Sequence, residues 1–352
     1  LTFACTTHKS TTTMNLLIGT YTDTDSEGIY TAVFDPDNGS LSEPQLLAAS
    51  DNPSFLAIND DRTLVYAVNE NKEGSVSAFN YKGDTALILI NKVSTFGAHP
   101  CYVDWQDGVV AIANYSSGNG GIFRTGTNGS LKKGLSEFQH FGSSKNPERQ
   151  GAPHAHFSRF SEDGTLLYVI DLGFDQIMSY PVVDGKIGAA KTAMTLQRGD
   201  GPRHLVFHPS QQFVYIISEL SNTITAATVN SETGAFTEFS RVSTLPEGHE
   251  ADSYCADIHI SQDGRFLYAS NRGHNSIAIF AIAENGELSM VGTESTRGDW
   301  PRNFTLSPDD GFLLVANQNS DNIVVFERDE DTGLLKFTGF EVKVSKPVCL
   351  KF

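Results

Sequence analysis

Short runs of alternating apolar and polar residues recur along this chain, each closed by a polar turn, and the period of two predicts β-strands throughout. One phrase sets the pattern. Asn52-Pro53-Ser54-Phe55-Leu56-Ala57-Ile58 leads through Asp60-Asp61-Arg62-Thr63 to Leu64-Val65-Tyr66-Ala67-Val68-Asn69-Glu70. It returns as Gly201-Pro202-Arg203-His204-Leu205-Val206-Phe207 with residues 213–219, and as Trp300-Pro301-Arg302-Asn303-Phe304-Thr305-Leu306 with residues 312–318. A third strand follows each pair, as at Ser276-Ile277-Ala278-Ile279-Phe280, and a weaker fourth begins after a glycine turn such as Gly286-Glu287-Leu288.

Aligning the copies places the proline position at Pro53, Pro100, Ala155, Pro202, Cys255, Pro301 and Pro347, at spacings of 47, 55, 47, 53, 46 and 46 residues. Repeats of about 40–50 residues with several short strands each mark a propeller. The seventh copy ends after one strand, Lys346-Pro347-Val348-Cys349-Leu350-Lys351-Phe352. Its remaining strands are supplied by Leu16-Leu17-Ile18-Gly19-Thr20 and Gly28-Ile29-Tyr30-Thr31-Ala32-Val33-Phe34. The expectation is an all-β, seven-bladed β-propeller whose N- and C-terminal strands share one blade, which closes the ring without an open sheet edge. It forms a single domain over residues 14–352, preceded by a leader or tether at residues 1–13.

Composition adds exclusions. With 39% hydrophobic residues, 19% charged residues and 31 glycines, the chain reads as globular and turn-rich rather than disordered or coiled-coil. No apolar run approaches the ~18 residues of a membrane span. A net charge of −17 argues against general nucleic-acid binding. It leaves room for a small anionic ligand held by a few local arginines. Cys5, Cys101, Cys255 and Cys349 show no zinc spacing, and the last three read as small buried residues of inner strands. Leu1-Thr2-Phe3-Ala4-Cys5 looks like the tail of a bacterial lipoprotein signal, and a lipid anchor on Cys5 would place the protein in the cell envelope or periplasm. The rival reading starts the working protein at Met14, in the cytoplasm, which is the expectation.

The repeat also says where chemistry can collect. In each blade the start of the first strand and the end of the second lie on one face near the axis. The first column holds Ser54, Cys101, His156, Arg203, Ala256, Arg302 and Val348. The second holds Asn69-Glu70, Asn114-Tyr115, Asp171-Leu172, Ser218-Glu219, Asn271-Arg272 and Asn317-Gln318. Four blades thus bring His156, Arg203, Glu219, Arg272 and Arg302 to one rim, with His154 just before His156. Buried Arg and Glu are costly unless paired or functional. The alternative is a set of salt bridges that only ties blades together. His208 and His259 lie away from the rim and read as structural.

The runs Leu17-Ile18-Gly19-Thr20-Tyr21-Thr22, Pro153-His154-Ala155-His156, Tyr168-Val169-Ile170-Asp171-Leu172-Gly173, Gly201-Pro202-Arg203-His204 and Ser270-Asn271-Arg272-Gly273 together resemble the propeller-type lactonase family. That family holds bacterial 6-phosphogluconolactonases and fungal carboxymuconate-lactonizing enzymes. The resemblance spans about Asn15 to Phe352. It implies a catalytic set of His156, Glu219, Arg203 and Arg272, with His154 of the same motif as an alternative base. The rim and the two columns add His154, Arg302, Asp171, Asn271, Asn317 and Gln318 as substrate-binding candidates. Phe157-Ser158-Arg159 departs from the smaller or aliphatic residues usual after that histidine. The implied activity is hydrolysis of a sugar lactone, 6-phosphogluconolactone first, without metal or cofactor. The alternatives are a carboxymuconate-type lactone reaction or a non-enzymatic interaction platform. The chemistry suits these residue types: His as a base near neutral pH, Arg forks for an oxyanion or anionic substrate group, and Glu219 either orienting His156 or acting as base.

Overall fold

The structure, a computed structural model, describes residues 12–352 apart from residues 83, 84 and 135; Cys5 lies outside the described residues. Every regular element among the described residues is a strand, and the strands form seven antiparallel sheets arranged as blades. The inner strands are Leu56–Ile58, Pro100–Gln106, Ala155–Phe160, Pro202–Phe207, Tyr254–Ile260, Pro301–Leu306 and Pro347–Lys351. The expected closure is present. Pro347–Lys351 pairs antiparallel with Met14–Thr20, Ile18 opposite Leu350, and Met14–Thr20 in turn pairs with Gly28–Asp35. The seven-bladed propeller is therefore as the repeat predicts.

The interiors of neighbouring blades meet through apolar side chains that alternate along the second and third strands, such as Val65, Ala67, Val76 and Ala78, all without solvent exposure. A polar buckle recurs among them. The Tyr66 hydroxyl donates to Gly129 O at 3.0 Å, Tyr168 to Gly234 O at 3.1 Å, Tyr215 to Gly286 O at 2.9 Å and Tyr268 to Gly333 O at 2.9 Å. Each tyrosine sits in a second strand and each glycine in the outer turn of the following blade. The bond satisfies a hydroxyl that would otherwise be buried alone. Gly333, at φ +71°, shows why the turn residue is glycine: a Cβ there would lie 2.3 Å from the Phe266 ring.

One irregularity positions the site. The inner ladder slips between Ala155 and Phe157, between Pro202 and His204, and between Pro301 and Asn303. His156, Arg203 and Arg302 are the extra residues of these β-bulges. A bulge breaks strict alternation and re-aims the inserted side chain, so two consecutive residues of each strand face the axis. The second member of each pair builds a plug across the channel. Phe55 stacks on Tyr102 at 4.2 Å, Tyr102 lies 4.3 Å from Phe157, and Phe157 lies 5.3 Å from His204. His204 Nδ1 meets Asp257 Oδ1 at 2.9 Å, and Asn303 Nδ2 donates to the same carboxylate. The Phe157 ring, directly after His156, completes this floor. The first member of each pair stands above it.

Candidate active site

Glu219 is the centre of the rim. It follows the last residue of strand Phe213–Ser218, and its backbone N–H donates to Gly201 O at 2.7 Å. Its Oε2 lies 2.9 Å from Arg272 Nη2 and 3.2 Å from Arg203 Nε, while Oε1 lies 2.6 Å from Arg149 Nη2. Only 4% of Glu219 is exposed. Burial alone would raise its carboxyl, but Arg272, Arg203 and Arg149 outweigh it and hold the group at about 2. Near neutral pH Glu219 is thus the ionised counter-ion of these arginines.

The arginines are fixed as well. Arg203 donates from Nη1 to Ala256 O at 2.5 Å; Arg272 donates from Nε to Tyr254 O at 3.2 Å and from Nη2 to Cys255 O at 2.9 Å, with its guanidinium over the Trp300 ring. Burial, then mutual repulsion, pushes Arg203 below its ordinary value, with Arg272 and Arg302 the neighbours responsible. An added anion at this rim relieves that repulsion. Arg302 differs. It makes no hydrogen bond or ion pair among the described residues and only lies over the Tyr21 ring at 5.5 Å. Tyr21 and Ser54 both donate to Glu70 Oε2, at 2.9 and 2.5 Å. Although burial opposes it, Tyr21, Glu70 and Glu219 hold Arg302 more firmly charged than usual. A cavity of about 10 Å³, room for about one water, lies between Ser54, Glu70, Cys101, Arg203 and Arg302. Four guanidiniums against two carboxylates make this a positive funnel in an acidic protein.

His156 completes the wall. It is 4% exposed, its ring sits edge-on to Tyr115 and His204, and neither ring nitrogen makes a hydrogen bond. Nδ1 is shut away from solvent, which leaves Nε2 as the atom a ligand can meet. Burial first, then Arg203, His204, Arg302 and Arg272, drives the imidazole well below its usual range, so it is neutral at pH 7. His154 stacks on Tyr115 at 4.4 Å, with Nδ1 3.0 Å from Tyr115 O.

The second column splits into two kinds of residue, and three expectations are corrected. Asp171 accepts His154 N–H at 2.7 Å, Gly173 N–H at 2.9 Å and His140 Nδ1 at 2.7 Å, with no exposed surface. Asn271 donates to Thr244 O at 3.0 Å and accepts from Thr244 Oγ1 at 2.7 Å. Asn317 donates to Thr296 O at 3.0 Å. These side chains are turned into the blades, where they staple the incoming connection; being wholly buried, they present no surface to a substrate. The residue after the staple faces the funnel: Glu70, Tyr115, Glu219 and Arg272. Gln318 occupies the same position, half-buried, with Oε1 shut away and unpartnered. His208 and His259 lie off the rim, His208 bonded to Gly264 O and His259 to Asp257.

Arg149, Glu70, Tyr21 and Tyr115 are the rim residues that the sequence reading did not select. Glu70 and Tyr115 were in the second column but gave no contrast with a structural role. Arg149 stands outside both columns, and its one signal was the 55-residue spacing between Pro100 and Ala155, which marks an inserted connection.

Comparison with known proteins agrees with this fold. The profile of the family described as lactonase, 7-bladed β-propeller, matches residues 15–352. The chain is 39% identical to the 6-phosphogluconolactonase of Bacillus subtilis over 341 residues, 95% of this chain and 97% of that one. The structure of the periplasmic gluconolactonase of Pseudomonas aeruginosa superposes with a TM-score of 0.91 at 32% identity, covering 97% of this chain and 99% of that one. A crystal structure of a Lactobacillus plantarum protein gives a TM-score of 0.91 at 36% identity, again over 97% of this chain and 99% of that one. With the fold and nearly the whole length in common, the chain belongs to the seven-bladed β-propeller lactonase family.

Proposed function

We propose that the protein hydrolyses a sugar lactone, with 6-phosphogluconolactone opened to 6-phosphogluconate as the leading reaction. The observation that carries the reading is a buried His156 ring with no hydrogen bond at Nε2, beside two guanidiniums fixed by Glu219 and backbone carbonyls. In the reaction, Nε2 takes a proton from water as its oxygen attacks the lactone carbonyl carbon. The tetrahedral oxyanion is stabilised by Arg203 and Arg272, which are already oriented by Glu219 and backbone carbonyls and need no reorganisation. The ring C–O bond then breaks, and the proton on His156 passes to the departing alkoxide. Glu219 makes no contact with His156 and is too strongly held to accept a proton; it serves as the arginines' counter-ion. Guanidiniums supply the positive charge, so the reading calls for no metal, and activity is expected to survive chelation.

The test is a pH-stat assay against the spontaneous rate, with δ-6-phosphogluconolactone, δ-gluconolactone and a carboxylated muconolactone. Acceleration of the phosphorylated lactone is expected. No acceleration of any lactone would overturn the proposal, and acceleration of gluconolactone alone would remove the phosphate.

Arg302 is the guanidinium with all its donors free, and it suits the charged group of the substrate. Arg302→Met is expected to raise KM for the phosphorylated lactone by about 10- to 100-fold, the scale of a lost charge-assisted contact. It should change gluconolactone hydrolysis by less than about threefold. Equal losses on both substrates would place Arg302 at the reacting carbonyl instead.

A further inference from the structure

Resting on the lactonase reading, we infer that Asp175, a buried carboxylate outside the funnel, is a positioning residue that acts on the site through Arg149. Asp175 sits in the turn between Leu166–Asp171 and Gln176–Val183, and it is 1% exposed. Its carboxylate accepts four hydrogen bonds. Ser144 Oγ lies at 2.5 Å and Gly199 N at 2.8 Å, both on Oδ2; Gln150 Nε2 lies at 2.8 Å and Gly201 N at 2.7 Å, both on Oδ1.

Those donors come from two separate connections. Ser144 and Gln150 belong to the long segment between the Ser136–Gln139 strand and the Ala155–Phe160 strand, and Arg149 is the neighbour of Gln150. Gly199 and Gly201 belong to the turn that leads into Pro202–Phe207, which carries Arg203. Gly201 O also receives the Glu219 N–H. One side chain therefore clips the support of Arg149 to the support of both Arg203 and Glu219.

The clip has a local reinforcement. Gln150 has no exposed surface and donates a second bond to Leu172 O at 2.8 Å, while Asn146 Oδ1 accepts the Glu148 and Arg149 N–H groups at 3.1 Å each. Arg149 itself is the least buried of Glu219's three partners, with 35% of its side chain exposed. A half-exposed ion pair contributes little unless its geometry is imposed. Here the segment that carries Arg149 is tied to Asp175 through Ser144 and Gln150 on either side of it, which favours the 2.6 Å contact to Glu219 Oε1. In consequence Glu219 Oε1 is engaged from outside, and Oε2 is left to orient Arg203 and Arg272.

A double-mutant cycle tests this. Asp175→Asn places an amide N–H against donors and is expected to lower kcat/KM about 10-fold; Arg149→Met should do the same. If Asp175 acts through Arg149, Asp175→Asn in the Arg149→Met background costs less than about twofold. Losses that multiply to about 100-fold would overturn the proposal, because a general structural defect adds independently of Arg149. Ser144→Ala removes one donor and should show the same dependence on Arg149 at a smaller loss of about threefold, so the cycle can be run even if Asp175→Asn folds poorly. Trypsin cleavage after Lys145 gives a readout that needs no substrate. It should be at least fivefold faster in Asp175→Asn well below the melting temperature. Unchanged cleavage overturns the clip, whereas a wild-type protein inactive on every lactone overturns the lactonase reading alone.

Discussion

Replacing His156 by Asn is expected to lower kcat at pH 7 by about 100-fold or more, the usual scale of general-base catalysis, with KM changed by less than about threefold. Its ring makes no hydrogen bond that holds the fold together, so the melting temperature should move by only a few degrees. Its ring is neutral because burial and the surrounding guanidiniums depress it well below its ordinary 6.5. Above pH 6.5 the imidazole is neutral in folded and unfolded chains alike. Catalysis through a neutral His156 is lost only as pH falls through its depressed folded value. The acid limb of the kcat/KM profile is therefore expected clearly below 6.5, and Asn at position 156 should abolish that limb together with the activity. A limb at 6.5 or above, or an active His156→Asn protein that simply melts earlier, would remove His156 from the role of base.

The second large effect is on Glu219→Gln, and it combines function with stability. Glu219 joins the three guanidiniums of Arg149, Arg203 and Arg272, two of them buried. Removing the carboxylate leaves cations without a counter-ion, a type of loss that costs about 3–5 kcal/mol. We expect kcat/KM to fall by about 100-fold or more, because Arg203 and Arg272 lose their orientation. The melting temperature should fall by roughly 10 °C.

The pH dependence has a definite sign. The folded carboxyl, at about 2, lies below its ordinary 4.5, so its contribution is complete above 4.5 and disappears as pH falls from there through 2. By linkage this amounts to roughly 3 kcal/mol. Wild type should thus lose more stability than Glu219→Gln on acidification from pH 5 to 2, measured by denaturant unfolding at each pH. Parallel losses in the two proteins would show that Glu219 is not held by its arginines.

Particular residues show how far the chain itself carried this reading. Pro202 and Pro301 mark where inner strands begin because proline suits a strand's first position, and the strands observed start at those residues. The tyrosines at 66, 168, 215 and 268 recur in register because four of the seven blades repeat the same buckle. The rim members His156, Arg203 and Arg302 were legible because a repeat exposes its exceptions: charge at a position that other copies fill with Ser54, Ala256 or Val348 stands out, and Glu219 and Arg272 add charge at the ends of second strands. Asp171, Asn271 and Asn317 misled for the converse reason. A polar residue at the end of a second strand reads the same whether it turns outward to a ligand or inward to a backbone carbonyl.

The sequence alone determined the number of blades, the closure of the ring and the two columns from which a site would be drawn. All three follow from local alternation and a fixed period, and these survive in a one-dimensional string. The tertiary structure decided which side chains of those columns face the funnel, that Glu219 is ion-paired to three arginines, and that Arg149 reaches the rim. Those outcomes rest on bulges that break the alternation and on contacts between residues such as Arg149 and Glu219, 70 positions apart. Neither a one-residue slip in the ladder nor a partner supplied by another blade leaves a periodic mark on the chain, so only packing the blades around one axis could settle them.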